Sequence, residues 1–393
     1  MPPFKAKQIT DDIYWVGAID WKIRDFHGYA THRGTTYNAY LITSGRPTLI
    51  DTVKAPYFEE MAARIKSVID PRKIEIIVSN HAEMDHSGSL QKAADMINPD
   101  KIFASKMGVK ALEEHRLSDW EITAVKDGDT LDIGGKTLTF IETRMLHWPD
   151  SMMTYLQDES ILFSQDGFGM HLASSERFDD EIYFPLLEQE AAKYYANILT
   201  PFSPLIRKTL DRIREMNLEF KLIAPDHGPV WRKYIDNILE MYHQWSELKP
   251  GRKVVIAYDT MWESTAKMAA AVLEGAASTG VDVKLMPLRS CHRSDVATEL
   301  LDAGAFISGA PTINNNMFPT MADLLIYLKG LKRTGLVGAA FGSYGWSGES
   351  IKQLETALGE MNVELAADSV KVKYVPGEED LQQCFELGKT VAE

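Results

Sequence analysis

The regular alternation of strands and helices after residue 250 is the sequence feature that most constrains the fold. Short apolar runs with the composition of buried strands lie at residues 254–258, 281–287, 305–308, 337–341 and 363–367. Helical patterns separate several of these runs, at residues 264–277, 320–331 and 349–359. Strands that alternate with helices of this length predict a parallel, doubly wound sheet with helices on both faces.

The part of the chain before about residue 245 has a different pattern. Runs rich in Ile, Val, Thr and Phe predict strands at residues 74–78, 136–142, 152–156, 161–164 and 220–224. Helical patterns lie at residues 57–69 and 205–216. A polar stretch that ends in Pro250-Gly251 is typical of a linker. The sequence therefore predicts a sheet-based α/β domain at 1–249 and a second domain at 250–393.

The composition excludes several classes of function. The 393 residues carry a formal net charge of −14 and no basic stripe, which argues against nucleic acid as a partner. No apolar run approaches the ~20 residues that a membrane helix needs. Cys291 and Cys384 form no Cys-x-x-Cys pair, so no thiolate metal site or disulfide framework is predicted. Because the N-terminal segment lacks a signal-peptide core, we expect a cytoplasmic protein with no membrane partner.

The densest group of potential metal ligands is the segment His81-Ala82-Glu83-Met84-Asp85-His86. It directly follows the predicted strand at 74–78 and opens a helical stretch at 87–97. Three further candidates each come shortly after another predicted strand. Because these strand ends are expected at one edge of the sheet, the candidate metal ligands should meet there. They are His81, Glu83, Asp85, His86, His147, Asp166 and His227.

A single histidine at a strand end is more often a surface or core residue, and a single Asp-Gly pair is more often a turn. Seven candidates at corresponding strand ends make a coincidence improbable, so we favour a metal site. Seven ligands exceed what one zinc ion takes, which favours two metal ions. Nitrogen and oxygen donors without a thiolate suit iron, zinc or manganese, with one carboxylate bridging the pair.

A second candidate site lies at the turn between the first strand and first helix of the 250–393 domain. The hydroxyls of Thr260, Ser264 and Thr265 suit a phosphate at a helix N-terminus, and they equally suit helix capping. Loops after the third and fourth strands are expected at the same sheet edge, where this fold binds ligands. The candidate binding residues are Thr260, Met261, Trp262, Glu263, Ser264, Thr265, Pro311, Thr312, Ile313, Asn314, Asn315, Ser343, Tyr344, Gly345, Trp346, Ser347 and Gly348.

The ligand pattern of the first domain resembles that of the metallo-β-lactamase superfamily, an αββα sandwich with a binuclear metal site. Hydrolytic members have histidine where this chain has Glu83, and a carboxylate at that position favours ferric iron over zinc. This variant is typical of the flavodiiron proteins. The resemblance implies two irons bridged by Asp166. One would be held by His81, Glu83 and His147, and the other by Asp85, His86 and His227.

The order of loops in the second domain resembles flavodoxin, which implies FMN with its phosphate on residues 260–265. No Gly-x-Gly-x-x-Gly turn is present, which disfavours a dinucleotide. Glu263 would repel a phosphate, so we predict that its side chain points to solvent. The implied fold class is α/β, an αββα metallo-β-lactamase-like sandwich followed by a doubly wound flavodoxin-like parallel sheet.

The resemblance to flavodiiron proteins covers nearly the whole chain. It implies an oxidoreductase that reduces dioxygen to water, nitric oxide to nitrous oxide, or both, with FMN passing electrons to the two irons. It also implies a head-to-tail homodimer or a dimer of dimers. Because the two cysteines cannot form a rubredoxin iron site, a separate rubredoxin is the expected electron donor.

Other residues are candidates for supporting roles. His171, Tyr195 and His27 are candidates for proton supply or for binding the gas, and Trp148 for a wall of the pocket; ordinary packing is the alternative. A basic rim for docking an acidic donor is a further hypothesis. Its candidate residues are Arg289, Arg293, Lys329, Lys332 and Arg333.

Two alternative functions belong to other classes. One is a zinc-dependent metallohydrolase with an accessory flavodoxin-like electron-transfer module, against which Glu83 argues. The other is an electron-transfer or binding protein with an inactive metal site, against which the complete ligand set argues.

Overall fold

The computed structural model describes residues 4–115 and 120–393. Within this described part, the chain divides into two compact units. The first contains residues up to Phe26, Thr31–Tyr194 and Pro204–His243, and the second contains His27–Ala30, Tyr195–Ser203 and Gln244–Glu393. The sequence pattern gave no indication of the two short segments that belong to the second unit.

The first unit contains two sheets. The larger has the strand order Lys7–Gln8, Ile13–Trp15, Tyr40–Ile42, Thr48–Ile50, Ile76–Ser79, Lys101–Ser105 and Ile122–Val125. The smaller has the order Thr130–Asp132, Thr137–Glu142, Met152–Leu156, Ile161–Gln165 and Leu222–Pro225. Ala18–Asp20 and Thr35–Tyr37 form a separate antiparallel ribbon, and short strands lie at Asp25–Phe26 and Tyr29–Ala30.

Alternating side chains determine how the two sheets pack. In the strand Ile76–Ser79, Ile76 and Val78 belong to the core between the sheets, whereas Ile77 belongs to the core under the outer helices. Phe140 and Phe163 of the smaller sheet fill the same inter-sheet core. The result is the predicted αββα arrangement, because each sheet buries both of its faces.

Most helices of the first unit come earlier in the chain than the smaller sheet, and the others lie before or after its last strand, Leu222–Pro225. The α-helices are Phe58–Lys66, Met84–Ser87, Leu90–Ile97, Lys106–Glu114, Phe184–Tyr194, Ser203–Glu215 and Ile235–Ser246. Single 3₁₀ turns lie at Ala55–Tyr57, Pro71–Lys73, Gln157–Glu159, Asp179–Glu181 and Thr200–Phe202, and a π-helical turn lies at Tyr195–Leu199. The second unit includes the π-helical turn, Thr200–Phe202, the first residue of Ser203–Glu215 and residues 244–246 at the end of Ile235–Ser246.

The second unit has the predicted parallel sheet. Its strand order is Asp282–Pro287, Lys253–Tyr258, Ala305–Gly309 and Val337–Tyr344, with Glu364–Leu365 and Val370–Lys373 both paired to the last of these. Every pairing in this sheet is parallel. The strand order 2-1-3-4-5 is that of flavodoxin-like folds. A small hairpin pairs Thr312–Ile313 with Asn316–Met317.

Both faces of this sheet are buried under helices, as its apolar strands require. Val255 and Phe306 face one core, and Ile256 and Ile307 face the other. The helices are Ser264–Ala277, Arg293–Leu300, Pro319–Leu331, Ser350–Glu360 and Glu378–Ala392.

Most predicted elements are present, and Met152–Leu156 and Ser264–Ala277 have the predicted bounds. Three expectations were wrong in detail. The helical stretch at 87–97 is broken into Met84–Ser87 and Leu90–Ile97, because the chain turns at Gly88 and Ser89. The strand expected at 363–367 is only Glu364–Leu365, and Val370–Lys373 continues the edge of the sheet. Ser343 and Tyr344 are strand residues rather than loop residues.

Across the described ranges, no helix has both the length and the apolar character needed to cross a membrane. Cys291 and Cys384 are both free thiols.

Candidate metal centre and flavin crevice

The predicted metal ligands of the first unit are carried by loops at the carboxyl ends of strands. His81 and Glu83 follow Ile76–Ser79, and Asp85 and His86 lie in the helical turn Met84–Ser87. Asp166 follows Ile161–Gln165, and the remaining two histidines come after Thr137–Glu142 and Leu222–Pro225. A Cβ at position 167 would lie 2.6 Å from Met153 Cε and 2.9 Å from Leu146 Cδ2, so a larger residue directly after Asp166 would require these side chains to move.

The structure brings all seven predicted side chains together in two groups. The first group is His81, Glu83, His147 and Asp166, and the second is Asp85, His86 and His227. Within each group the potential ligand atoms lie within 4.8 Å of one another. All of these residues are buried except His147, which is half-buried.

Asp166 contributes one oxygen to each group. Its Oδ2 lies 3.4 Å from His81 Nε2 and 3.1 Å from His147 Nε2. Its Oδ1 lies 3.2 Å from His86 Nε2 and 3.5 Å from His227 Nε2. Ligands about 2.1 Å from a common ion are separated by about 3.0–3.4 Å in octahedral or tetrahedral geometry. The separations therefore match two coordination polyhedra that share the carboxylate of Asp166.

The pKa values of the clustered histidines and carboxylates show how the buried negative charge is balanced. Burial alone would lower the pKa of His86, but Asp85, Asp166 and Asp226 raise it to about 10. Burial would likewise lower the pKa of His147, but Asp166 and Glu83 raise it to about 9. Burial opposes ionisation of Asp166, yet the neighbouring histidines hold its pKa well below the usual range. The buried negative charge thus requires cations among the imidazoles.

Two observations indicate that metal ions fit this position. Neither oxygen of Asp85 or Asp166 accepts a hydrogen bond of regular geometry within the described part of the chain. Buried carboxylates without donors are costly unless a cation satisfies them. The donor set of imidazole nitrogens and carboxylate oxygens suits iron, zinc or manganese.

A second layer of hydrogen bonds orients the imidazoles. His81 Nδ1 lies 3.0 Å from Asp150 Oδ2, which also accepts the backbone N–H of Ala82. His227 Nδ1 donates to the carbonyl of Thr36 at 2.6 Å. With the proton on Nδ1, the lone pair of Nε2 faces the cluster, which is the tautomer a metal requires. The sequence reasoning missed Asp150, although it lies only three residues after His147.

Further hydrogen bonds hold the loop that carries the first four ligands. The carboxylate of Asp51 accepts the backbone N–H of Asn80 at 2.6 Å and its side-chain amide at 2.7 Å. The hydroxyl of Thr154, in a strand of the smaller sheet, donates to Oδ1 of Asn80. The hydroxyl of Thr52 donates to the carbonyl of His86. The start and end of the loop are thereby tied to neighbouring strands.

The other candidate residues are not all beside the cluster. The ring of His171 lies 4.8 Å from that of His227, and its Nδ1 lies 2.9 Å from Thr35 Oγ1. Trp148 packs edge-on against His81, with ring centroids 5.3 Å apart. Tyr194 packs 5.0 Å from His171. Tyr195, which the sequence reasoning chose instead, has its hydroxyl 3.0 Å from Ser203 Oγ and its ring against Trp245, all in the second unit.

His27 also lies in the second unit, in the segment His27–Ala30, with a left-handed φ of 56°. The structure therefore places His171 and Trp148 at the cluster, and Tyr195 beside Ser203 and Trp245. The residue before His27, Phe26, packs with its ring 4.9 Å from that of His171.

The candidate flavin residues of the second unit lie at the carboxyl edge of its parallel sheet. Thr260 follows Lys253–Tyr258 and is 6% exposed, and its Oγ1 has no hydrogen-bond partner among the described residues. The Oγ of Ser308 is likewise buried without a partner. Two buried hydroxyls without partners at this edge fit a ligand with hydrogen-bonding oxygens, such as a flavin phosphate or ring.

Hydrogen bonds join the three candidate loops. Thr265 Oγ1 lies 2.9 Å from Ser343 Oγ, which links the first turn to the fourth strand. Ser350 N–H donates to Thr312 Oγ1 at 3.3 Å, which links the two later loops. Trp262 and Trp346 are 84% and 85% exposed, and Glu263 is exposed as its charge predicts. The other candidates of this set lie in the same segments, namely Met261, Ser264, Pro311, Ile313, Asn314, Asn315, Tyr344, Gly345, Ser347 and Gly348.

Four of the five cations in the hypothetical basic rim are buried or paired with a carboxylate. Arg333 is buried and donates to backbone carbonyls that include those of Leu300 and Ala303. Three other cations pair with carboxylates, Arg289 with Asp259, Arg293 with Asp323 and Lys329 with Glu360. A cation that is buried or neutralised in this way offers little attraction to an acidic partner.

Comparisons with known proteins agree with both units. Residues 35–228 match the ODP family beta lactamase, and residues 256–388 match flavodoxin. The chain is 48% identical to a nitric oxide reductase from Moorella thermoacetica, over 98% of this chain and 97% of the relative.

Two solved structures extend this similarity to the whole chain. The rubredoxin oxygen:oxidoreductase from the anaerobe Desulfovibrio gigas is 46% identical, with a TM-score of 0.97 over 99% of this chain and 98% of that one. The flavodiiron protein from Giardia intestinalis is 35% identical, with a TM-score of 0.96 over 100% and 97% of the two chains.

A β-lactamase-like unit with seven nitrogen and oxygen donors, followed by a flavodoxin-like unit, defines a flavin-dependent oxidoreductase with two metals. The sequence identity to these relatives extends over the whole chain, so a particular family can be assigned within this class. The chain belongs to the flavodiiron protein family, which carries FMN and a non-haem di-iron centre.

Proposed function

We propose that this flavodiiron oxidoreductase reduces dioxygen to water, nitric oxide to nitrous oxide, or both, with electrons from a rubredoxin. The names of the Moorella thermoacetica and Desulfovibrio gigas relatives support these two gases and this donor. The observation that carries the proposal is the carboxylate of Asp166, which offers one oxygen to each of two donor groups. Two ferrous ions and a reduced flavin together supply the four electrons that dioxygen needs.

The two donor groups are proposed to hold the iron ions. His81, Glu83 and His147 would hold one, and Asp85, His86 and His227 would hold the other, with Asp166 shared. When bound, the irons supply the position at which a gas is reduced, and FMN supplies electron transfer. The protein contributes fixed donors, the Nδ1 hydrogen bonds of His81 and His227, and the aromatic wall formed by Trp148.

The flavin is proposed to lie at the carboxyl edge of the parallel sheet. Its phosphate would meet the turn 260–265, where the Thr260 hydroxyl has no partner in the described ranges and lies beside the N-terminus of helix Ser264–Ala277. The exposed rings of Trp262 and Trp346 and the segment 311–315 would cover the flavin. The same edge carries Ser343, Tyr344, Gly345, Ser347 and Gly348.

Proton supply is proposed to involve His171 and Tyr194. His171 packs on His227, and Tyr194 packs on His171. Burial, and then the charge of Asp166, raise the pKa of Tyr194, so its hydroxyl keeps its proton and remains a donor. Tyr195 is not part of this proposal, because its hydroxyl lies beside Ser203 and its ring packs against Trp245. His27 stays a candidate for this role, because it directly follows Phe26, whose ring lies 4.9 Å from that of His171.

The zinc hydrolase alternative is not favoured. Glu83 adds a buried carboxylate to the first donor group, where it lies 3.1 Å from His147 Nε2. A third carboxylate in the cluster favours a metal that cycles between divalent and trivalent states. The relatives are named as oxidoreductases, which supports the same choice.

The assembly and location are also proposals. The family resemblance supports a head-to-tail homodimer, or a dimer of such dimers, in which the flavin of one chain lies beside the metals of another. The unpaired cysteines support a reducing, cytoplasmic location. Molecular mass in solution and cell fractionation would test these two points.

The test of the function uses the purified full chain. We expect flavin absorption bands and about two irons per chain, and anaerobically reduced protein should be reoxidised by dioxygen, nitric oxide or both. Separate addition of each gas, with turnover rates compared, identifies the preferred substrate. A colourless protein that contains zinc and hydrolyses esters would contradict the proposal.

A further inference from the structure

One buried carboxylate beside the flavin crevice joins three separate segments of the second unit. Asp259 directly follows Lys253–Tyr258 and is 2% exposed. Its Oδ1 accepts the N–H of Thr260 at 2.7 Å and the Nε–H of Arg289 at 3.1 Å. Its Oδ2 accepts the hydroxyl of Thr320 at 2.5 Å. The turn, the segment after Asp282–Pro287 and the first turn of Pro319–Leu331 are therefore held together.

The same contacts fix the backbone of Thr260 from both sides. Its N–H is held by Asp259, and its carbonyl accepts a hydrogen bond from Arg289 Nη2. The hydroxyl of Thr260 remains without a partner among the residues that the structure describes. A residue whose backbone is held at both ends, and whose polar side-chain atom is unpaired, is prepared for a ligand.

Charge makes this arrangement unexpected at a phosphate site. A carboxylate next to a phosphate disfavours binding, because both are anions. Arg289 neutralises Asp259, and its guanidinium remains about half exposed, at 56%. The contribution of Asp259 that remains is the geometry of its hydrogen bonds to Thr260, Arg289 and Thr320.

We propose that Asp259 is a positioning residue for the flavin phosphate, and that it acts with Arg289 and Thr320 by holding the Thr260 turn. This inference rests on the proposed flavin site at the carboxyl edge of the sheet. It concerns a residue outside the predicted set of flavin contacts, which began at Thr260.

The first test compares two ligands that differ only in the phosphate. The full chain is freed of flavin, and the dissociation constants of FMN and riboflavin are measured by flavin fluorescence. In Asp259→Ala we expect FMN affinity to fall about tenfold or more, and riboflavin affinity to change by about twofold or less. Asp323→Ala, which removes the ion pair with Arg293 in the same unit, is the matched control and should leave both constants unchanged.

A second variant separates geometry from charge. Asp259→Asn keeps the size of the side chain and leaves the cation of Arg289 free to attract the phosphate. If Asp259 acted through its charge alone, this variant would bind FMN more tightly than the native protein. Positioning predicts weaker binding, because the amide has one accepting oxygen instead of two. Either the bond from Arg289 is lost, or the bond with Thr320 must reverse its direction. Tighter binding would overturn the inference.

Thr320→Val gives a mild version of the same test that does not endanger folding. It removes one hydrogen bond to Asp259, and we expect FMN affinity to fall by about two- to tenfold with riboflavin unaffected. Equal losses for FMN and riboflavin in these variants, or no loss of FMN affinity, would contradict the role of Asp259. Failure of the native chain to bind FMN at all would instead contradict the proposed flavin site.

Discussion

The metal cluster and the flavin crevice are built in opposite ways. Around the cluster, charged side chains from several loops are buried, and Asp166 is only 1% exposed. At the crevice, the candidate contacts are hydroxyls, backbone groups and the rings of Trp262 and Trp346, which are largely exposed to solvent. The first region fixes a few strong ligands in advance, whereas the second offers many weaker contacts.

This difference predicts how mutations should affect metal binding at the cluster and flavin binding at the crevice. A buried group of charges cannot rearrange without leaving a charge unpaired, so its geometry depends on single side chains and on the hydrogen bonds behind them. An open crevice has no such penalty, and the loss of one contact removes only that contact. We therefore expect metal binding to fail abruptly and flavin binding to weaken gradually.

The largest effect is expected for Asp166→Ala. Removal of the shared carboxylate takes one donor from each group, so metal content should fall from about two ions per chain to below one. Loss of a residue that only hydrogen-bonds to a metal ligand typically costs about 10–100-fold in activity. The loss of reductase activity in Asp166→Ala should be larger than this. Elemental analysis measures the metals, and flavin absorbance should be unchanged. Asp100→Ala, at an exposed ion pair with Arg46, is the control; full metal content in Asp166→Ala would contradict the bridging role.

The next effect is the pH dependence of metal uptake by protein treated with a chelator. His147 and His86 have pKa values of about 9 and about 10, so both hold protons at neutral pH before metal binds. Metal must displace these protons, so affinity should rise by about tenfold per pH unit for each proton released, up to about pH 9 for His147 and about pH 10 for His86. Competition with a chelator for Mn²⁺ and proton release in weak buffer measure this. Affinity independent of pH between about pH 6 and about pH 8 would contradict the charge balance.

Asp150→Asn tests the hydrogen bonds behind the cluster. The carboxylate fixes the tautomer of His81 and adds to its basicity, so the variant should lose about 10–100-fold in metal affinity. In the native protein, burial alone would raise the pKa of Asp150, but the hydrogen bond and charge of His81 lower it below the usual value. The carboxylate is therefore ionised. Metal titration with a competing chelator measures the change. Unchanged affinity with an unchanged iron spectrum would show that the His81 orientation is set without Asp150.

The smallest effect is expected for Thr260→Val in the flavin crevice. Loss of one hydroxyl contact to the phosphate should weaken FMN binding by about tenfold, with the metal content unaffected. Thr356→Val, on the exposed face of Ser350–Glu360, is the matched control. Loss of iron together with flavin in Thr260→Val would remove the distinction between the two regions.

The sequence predicted the metal centre more completely than its surroundings. Four of the ligands lie within six residues at the end of one strand, and the others follow strands of the same direction. The hydrogen bonds behind them join distant residues, such as His227 to Thr36, which lie 191 positions apart. No local pattern marks such a partner, because it depends on where the ribbon that contains Thr36 packs against the loop after Leu222–Pro225.

The sequence also could not predict which of two adjacent tyrosines, Tyr194 or Tyr195, has its ring beside His171. Helix Phe184–Tyr194 ends where a π-helical turn begins at Tyr195, so the direction of each ring depends on that change of helical period. The strand at Val370–Lys373 was missed although its residues alternate between buried and exposed. In this case the signal was present, because Val-Lys-Val-Lys is the pattern of an edge strand with one buried face.

Local sequence patterns were enough to predict the two fold types, the seven side chains that the structure brings together in two groups, and the turn at 260–265. These follow from local composition and from the rule that strands of one direction end at the same edge. Packing in three dimensions was needed to show that Asp166 faces both donor groups, that Arg333 is buried, and that Asp259 accepts hydrogen bonds from Thr260, Arg289 and Thr320. Those facts depend on distances between residues far apart in the chain, which packing of the two cores sets and local sequence does not encode.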